Sequence, residues 1–142
     1  MFAYTTAIRV RDTDAGGVLF FARYLALAHD AYEAFMDAHG VNVGRELLES
    51  DHFVAVVHTE CEHRAPLWAG ETVTIALAVE RVRRRAFTLT YAFHKADGTL
   101  ACRARTTHAV IDKAKRRAVP LPQYLERLLQ DAADTDDAPE SA

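Results

Sequence analysis

The stretch Arg11-Asp12-Thr13-Asp14-Ala15-Gly16-Gly17-Val18-Leu19-Phe20-Phe21-Ala22-Arg23-Tyr24 sets two carboxylates and two adjacent glycines immediately ahead of a helical pattern over residues 25–39. Glycine lacks Cβ, so the chain can turn sharply at 16–17 and a bulky group can approach the backbone closely. A helix start leaves its first N–H groups without intrahelical acceptors and carries about half a positive charge. Acid chemistry and oxyanion-binding chemistry therefore fall side by side, with Asp14 near whatever the helix start polarises. The competing reading is local: Asp12 or Asp14 forms an Asx-turn or a cap before the helix.

Outward from this stretch the periodicity changes. Along residues 23–39, Leu25, Ala28, Tyr32, Phe35 and Met36 form an apolar stripe, with Arg23, Asp30, Glu33 and Asp37 opposite. Gly40 then supplies a C-terminal stop. Upstream, Phe2, Tyr4, Ile8 and Val10 alternate with smaller or polar residues, which predicts a strand over 2–11. Downstream, residues 42–50 read as a short helix and 53–64, 71–83, 86–95 and 99–112 as strands. Val73, Ile75, Leu77 and Val79 alternate with Thr and Ala, as do Phe87, Leu89, Tyr91 and Phe93, and Asp97-Gly98 is a hairpin turn. Short connections make antiparallel neighbours. The expected fold class is α+β, an antiparallel meander wrapped around one long helix. Residues 123–131 repeat the helical period after Pro120 and Pro122.

The chain has 142 residues, 50% of them hydrophobic, enough for a single domain over 1–130 with its own core. The net charge of −3 conceals five acids, Asp131, Asp134, Asp136, Asp137 and Glu140, in a segment without bases. Residues 1–130 carry +2. Residues 131–142 are expected to form a disordered acidic tail. No apolar run is long enough to span a membrane and the first residues lack the pattern of a signal peptide, so no membrane insertion and a cytoplasmic location are expected. Cys61 and Cys102 each lie in a strand-like run and read as reduced core thiols.

The run from Asp12 through Val18 to Tyr24, followed by a long helix, resembles the signature of the hot-dog-fold acyl-CoA thioesterases of the 4-hydroxybenzoyl-CoA thioesterase family. Tol-Pal-associated and 1,4-dihydroxy-2-naphthoyl-CoA thioesterases are among its relatives. The likeness in element order extends over roughly residues 4–125. The resemblance implies the hot-dog fold, a catalytic carboxylate at Asp14 beside Gly17, and a main-chain N–H at Phe21 that polarises the thioester carbonyl. Many relatives carry His or Tyr where this chain has Phe21, so only the backbone role carries over. It also implies dimers that pair into homotetramers, with an acyl pocket between the long helix and a neighbouring subunit's sheet.

Candidates for that pocket are His29 and Tyr32 on the helix and His58 and Thr59 on the facing strand; the string His29-Asp30-Ala31-Tyr32-Glu33 is similar to members that act on aromatic acyl groups. Arg83, Arg84 and Arg85 sit on a turn between strands, where guanidinium groups can spread around the phosphates of coenzyme A. A local basic patch of this size suits such a ligand better than a nucleic acid. No cofactor is expected. His58, Cys61 and His63 do not form a metal set, because His58 points to the opposite strand face and no fourth ligand is in sight. No G-x-S-x-G elbow supports a serine hydrolase. The leading expectation is hydrolysis of an aromatic or short-chain acyl-CoA, with Asp14 as general base or nucleophile. The alternatives are a thioesterase for acyl-carrier protein and a non-catalytic acyl-CoA-binding or scaffold protein.

Overall fold

The structure, a computed structural model, describes residues 1–137. In chain order it contains β1 (Phe2–Ala7), two short 3-10 turns (Val10–Asp12 and Phe21–Arg23), α1 (Tyr24–Ala38) and α2 (Val43–Glu49). These are followed by β2 (His52–His63), β3 (Thr72–Val82), β4 (Ala86–Lys95), β5 (Leu100–Asp112) and α3 (Gln123–Asp137). The strands form one antiparallel sheet in the order β1-β3-β4-β5-β2.

Alternation decides which face is covered. Val73, Ile75 and Leu77 of β3 and Phe87, Leu89, Tyr91 and Phe93 of β4 are all buried, and cross-strand pairs such as Ile75 with Phe93 keep them on one face. Against this face lies α1, through Tyr24, Leu27, Ala28, Ala31, Tyr32, Phe35 and Met36. Burying each of the large side chains is worth roughly 1.5–3 kcal/mol, which fixes the helix on the sheet. The buried stripe is turned relative to expectation: Leu25 is only half-buried, and Tyr24, Leu27 and Ala31 take the inward positions.

Three further elements differ from the expected organisation. The first strand stops at Ala7, and Val10 stands exposed in a 3-10 turn. β2 does not neighbour β3; it crosses to the far edge and pairs with β5, for example Cys61 with Ala104. The crossing segment is pinned to the signature loop. Leu67 is fully buried, its carbonyl accepts from the Leu19 N–H at 2.7 Å, and the Ala69 N–H donates to the Gly17 carbonyl at 2.9 Å. Finally, residues 131–137, expected to begin the tail, continue α3. Leu125 and Leu129 are buried beneath it, and Ala132 and Ala133 extend the same packing. Residues 138–142 of that expected tail lie outside the described residues.

No helix among the described residues is long and apolar enough to cross a membrane.

Candidate active site

The signature loop folds back on itself between β1 and α1. Thr13 and Leu19 form an isolated antiparallel bridge, the Asp14 N–H donates to the Val18 carbonyl at 2.9 Å, and the Gly17 N–H donates to the Asp14 carbonyl at 3.0 Å. Gly17 closes this turn at φ +83°, a conformation that favours glycine. Within the turn, Asp14 Oδ1 accepts from the N–H of Gly16 at 2.8 Å and of Val18 at 3.3 Å. The local Asx-turn is therefore present; both bonds fall on Oδ1, and among the described residues Oδ2 has no partner. Asp14 itself is exposed.

Seven residues after Asp14, the chain enters the 3-10 turn Phe21–Arg23 that leads into α1. Neither Phe20 nor Arg23, at the starts of the turn and of α1, offers a side-chain cap; the Phe20 N–H donates to the Asp12 carbonyl at 2.9 Å and the Arg23 N–H to the Phe20 carbonyl at 2.8 Å, whereas the Phe21 N–H has no partner among the described residues. Asp14, Phe21 and Tyr24 line one surface pocket of about 450 Å³, closed on its other side by His63, Arg64 and Pro66. The Tyr24 and His63 rings meet edge to face at 4.6 Å. Phe21 is 69% exposed and Phe20 42%, an apolar rim on the pocket that Asp14 lines. Asp14 and the start of the helical turn at Phe21 thus border the same space.

A second pocket, of about 260 Å³, lies where α1, α2, β2 and α3 converge. Tyr32, Met36, Phe53, Val54 and Leu125 supply apolar walls, and His108 of β5 lies among them. Asn42 caps α2 by accepting from the Arg45 N–H at 2.9 Å, which holds this wall in place. His29 stands at the rim, its Nδ1 3.2 Å from Glu33.

The structure brings together Asp14, the Phe21 N–H and Gly17 in one loop, and His29 and Tyr32 in the second pocket. It does not bring His58 and Thr59 into either pocket. Both are exposed at the middle of edge strand β2, and His58 Nε2 lies 2.9 Å from Glu60. Arg83, Arg84 and Arg85 form the β3–β4 turn, exposed, at the end of the sheet where β4 and β5 pair through Phe87 and His108. Within one chain they lie at the opposite end of the sheet from Asp14. His108 was not distinguished by sequence reasoning. Its signal was available: Cys102, Ala104, Thr106, His108 and Val110 share one strand face, and an imidazole on an inward face needs partners.

Neither thiol is poised as a nucleophile: burial pushes Cys102 up to about 12 and raises Cys61 as well. No group of metal-binding side chains occurs among the described residues.

The profile of the thioesterase-like superfamily matches residues 8–129. The chain belongs to this family. Among its curated relatives, a 1,4-dihydroxy-2-naphthoyl-CoA hydrolase of Rippkaea orientalis is 31% identical over 135 residues, covering 94% of this chain and 98% of the relative. A second enzyme of that name, from Synechococcus elongatus, is 31% identical over 134 residues, with coverage of 94% and 98%. In the fold comparison, a 1,4-dihydroxy-2-naphthoyl-CoA thioesterase from Synechocystis superposes with a TM-score of 0.88 at 27% identity, covering 97% of this chain and 98% of the other. The fold is the hot-dog fold of acyl-CoA thioesterases, and the chain is a thioester hydrolase of that class.

Proposed function

We propose that this protein hydrolyses aromatic acyl-CoA thioesters, giving the free acid and coenzyme A, with Asp14 as the catalytic carboxylate. The observation that carries the reading is the shared pocket of Asp14 and Phe21. A thioester carbonyl seated there meets helix-start N–H groups that stabilise the developing oxyanion, a contribution of about 2.7–4 kcal/mol per donor in other enzymes. The unpartnered Oδ2 then acts in one of two ways. As a base it takes a proton from water, whose oxygen attacks the carbonyl, and passes that proton to the departing thiolate. As a nucleophile it attacks the carbonyl itself and forms an anhydride that water opens. Backbone N–H bonds on Oδ1 hold the carboxylate in place for either route.

An aromatic acyl group is supported by the names of the relatives and by the second pocket. An apolar cavity of about 150 Å³ holds a benzene ring, so about 260 Å³ has room for a larger aryl group. On α1, Tyr24 borders the first pocket, whereas His29 and Tyr32 border the second, roughly 8–12 Å further along the axis.

A second copy of the chain closes that gap. β2 is an edge strand with Val56 44% and Val57 58% exposed, and such an edge invites a partner strand. Antiparallel pairing of two β2 strands about their midpoint sets the His63 end of one, beside Asp14, against the 52–56 end of the other, beside the aryl pocket. His58 and Thr59 then lie at the centre of the interface, and the arginine turn of one chain lies on the same side as the partner's Asp14, available to coenzyme A. Such dimers pair into a tetramer.

The test is thiol release from a panel of aromatic and short aliphatic acyl-CoAs, with acyl-carrier-protein thioesters as the comparison. Aromatic acyl-CoAs are expected to turn over fastest. Turnover confined to carrier-protein thioesters, or none at all, would refute the reading.

A further inference from the structure

One wall of the second pocket is attached differently from the others. Tyr32, Met36 and Leu125 line the pocket from elements whose inner faces are buried in the core. α2 lines it through Val43, Glu46 and Leu47, yet none of the residues of α2 is buried. Of its apolar side chains only Val43 packs against the core, and Leu47 and Leu48 stand exposed. Apolar burial, which fixes α1 on the sheet, therefore does little for α2.

Polar ties hold it instead. The Tyr124 hydroxyl, at the start of α3, donates to Glu46 Oε2 at 3.0 Å. Lys113 Nζ, just past the end of β5, donates to the Leu47 carbonyl at 2.6 Å. The Asn42 cap and Ser50, whose hydroxyl donates to Glu46 Oε2 at 2.7 Å, bond within the helix itself and anchor it to nothing else. His52 at the start of β2 braces the phenol from the other side, with Nε2 3.3 Å from the Tyr124 hydroxyl and Nδ1 3.0 Å from Asp51. Burial, with the Glu46 carboxylate beside it, pushes Tyr124 up to about 12, so the phenol keeps the proton that it donates. The chain on either side is jointed: Gly40 at φ +82° precedes the helix and Ser50 leaves it in an extended conformation.

We propose that α2 is a hinged wall that opens to admit the acyl group and closes over it, with Tyr124 as the positioning residue that clasps it shut through Glu46. A helix held by a few exposed hydrogen bonds opens more readily than one held by a buried face. Joints at its two ends let it move without disturbing α1 or the sheet, and closure over a bound acyl group excludes water from the pocket. Lys113 is the second tie. This inference rests on the proposed use of the second pocket for the acyl group.

The experiment follows hydrogen–deuterium exchange on peptides covering residues 42–50, α1 and β5 in wild type, Tyr124→Phe and Lys113→Met. Each protein is compared free, with coenzyme A, and with S-(naphthylmethyl)-coenzyme A, a thioether that cannot be hydrolysed. In the free wild type α2 is expected to exchange faster than α1. Loss of either tie should raise exchange at α2 about three- to tenfold, the effect of one hydrogen bond, and leave α1 and β5 unchanged. The thioether should slow exchange at α2 in wild type where coenzyme A alone does not, and that protection should shrink in Tyr124→Phe. Exchange at α2 that neither variant moves overturns the proposal, as does a rise shared by α1 and β5, or equal protection, including none, by the two ligands. If Tyr124→Phe does not fold, Lys113→Met and the ligand comparison decide. Failure of the underlying activity looks different: no aryl acyl-CoA releases thiol, while exchange in the free variants still reports whether Tyr124 clasps α2.

Discussion

Replacing the two glycines of the signature loop one at a time separates the aim of Asp14 from the stability of its loop. A Cβ on Gly16 would stand 3.3 Å from Asp14 Oδ1, closer than an ordinary contact, and the atom that must give is the carboxylate itself. Gly16 is not among the left-handed glycines, so the backbone is not strained. Gly16→Ala should shift the carboxylate by a few tenths of an ångström. Misplacement by about 1 Å can cost about a hundredfold in rate, so a smaller shift is expected to lower kcat about three- to tenfold, with little change in Tm. Gly17 presents the reverse case: φ is +83° and nothing lies within 4 Å of an added Cβ. Gly17→Ala should cost about 1–2 kcal/mol for the left-handed conformation, lowering Tm by roughly 3–8 °C for a chain of this size, with a smaller loss of kcat than Gly16→Ala. Thermal unfolding and thiol release on both variants read the two effects. A Gly16→Ala enzyme with full kcat, or a Gly17→Ala enzyme that loses more kcat than Tm, would refute the placement of Asp14.

Further outcomes follow from the same geometry. His108 titrates near 6.5 when unfolded and at about 4 when buried, so between those pH values the unfolded chain takes up a proton that the folded chain refuses. Stability therefore falls as pH drops through this window, by up to about 3 kcal/mol. Urea unfolding should show that slope in wild type and a shallower one in His108→Phe; equal slopes would contradict the assignment. Val57→Lys on the exposed β2 edge should leave a folded monomer by light scattering, since charge on an edge strand opposes pairing; an unchanged oligomer would place the interface elsewhere. Replacing Arg83, Arg84 and Arg85 together with alanine should raise KM for acyl-CoA about tenfold through three exposed phosphate contacts, and leave KM for the matching pantetheine thioester, which lacks the nucleotide, where it was. Equal effects on both substrates would remove the arginines from coenzyme A binding.

What could be read from the sequence was local. Alternation in 73–79 and 87–93 marked the buried faces of β3 and β4, because period and covered face are the same physical fact. The Asp14–Gly17 turn was legible for the same reason, since its hydrogen bonds close within five residues. The pairing of β2 with β5 was not. Local pattern marks a strand without naming its neighbour, and the segment that carries β2 past the sheet is fixed by the burial of Leu67 and by its bonds to Leu19 and Gly17. The acidic composition after residue 131 pointed to a tail, whereas Ala132 and Ala133 find core surface to pack on and extend α3. His108 escaped notice because a strand reading weighs apolar residues, and the importance of a polar one depends on which rings stack on it from α1 and β4.

The central claim is that one oxygen of Asp14 acts on the thioester, and Asp14→Asn tests it most directly. The amide keeps an oxygen to accept from the Gly16 and Val18 N–H groups, so the loop and Tm should be preserved, while the base or nucleophile is lost. Under saturating aromatic acyl-CoA, kcat for thiol release is expected to fall by about 10²–10⁴-fold. An asparagine enzyme that releases thiol within about threefold of the wild-type rate would contradict the account.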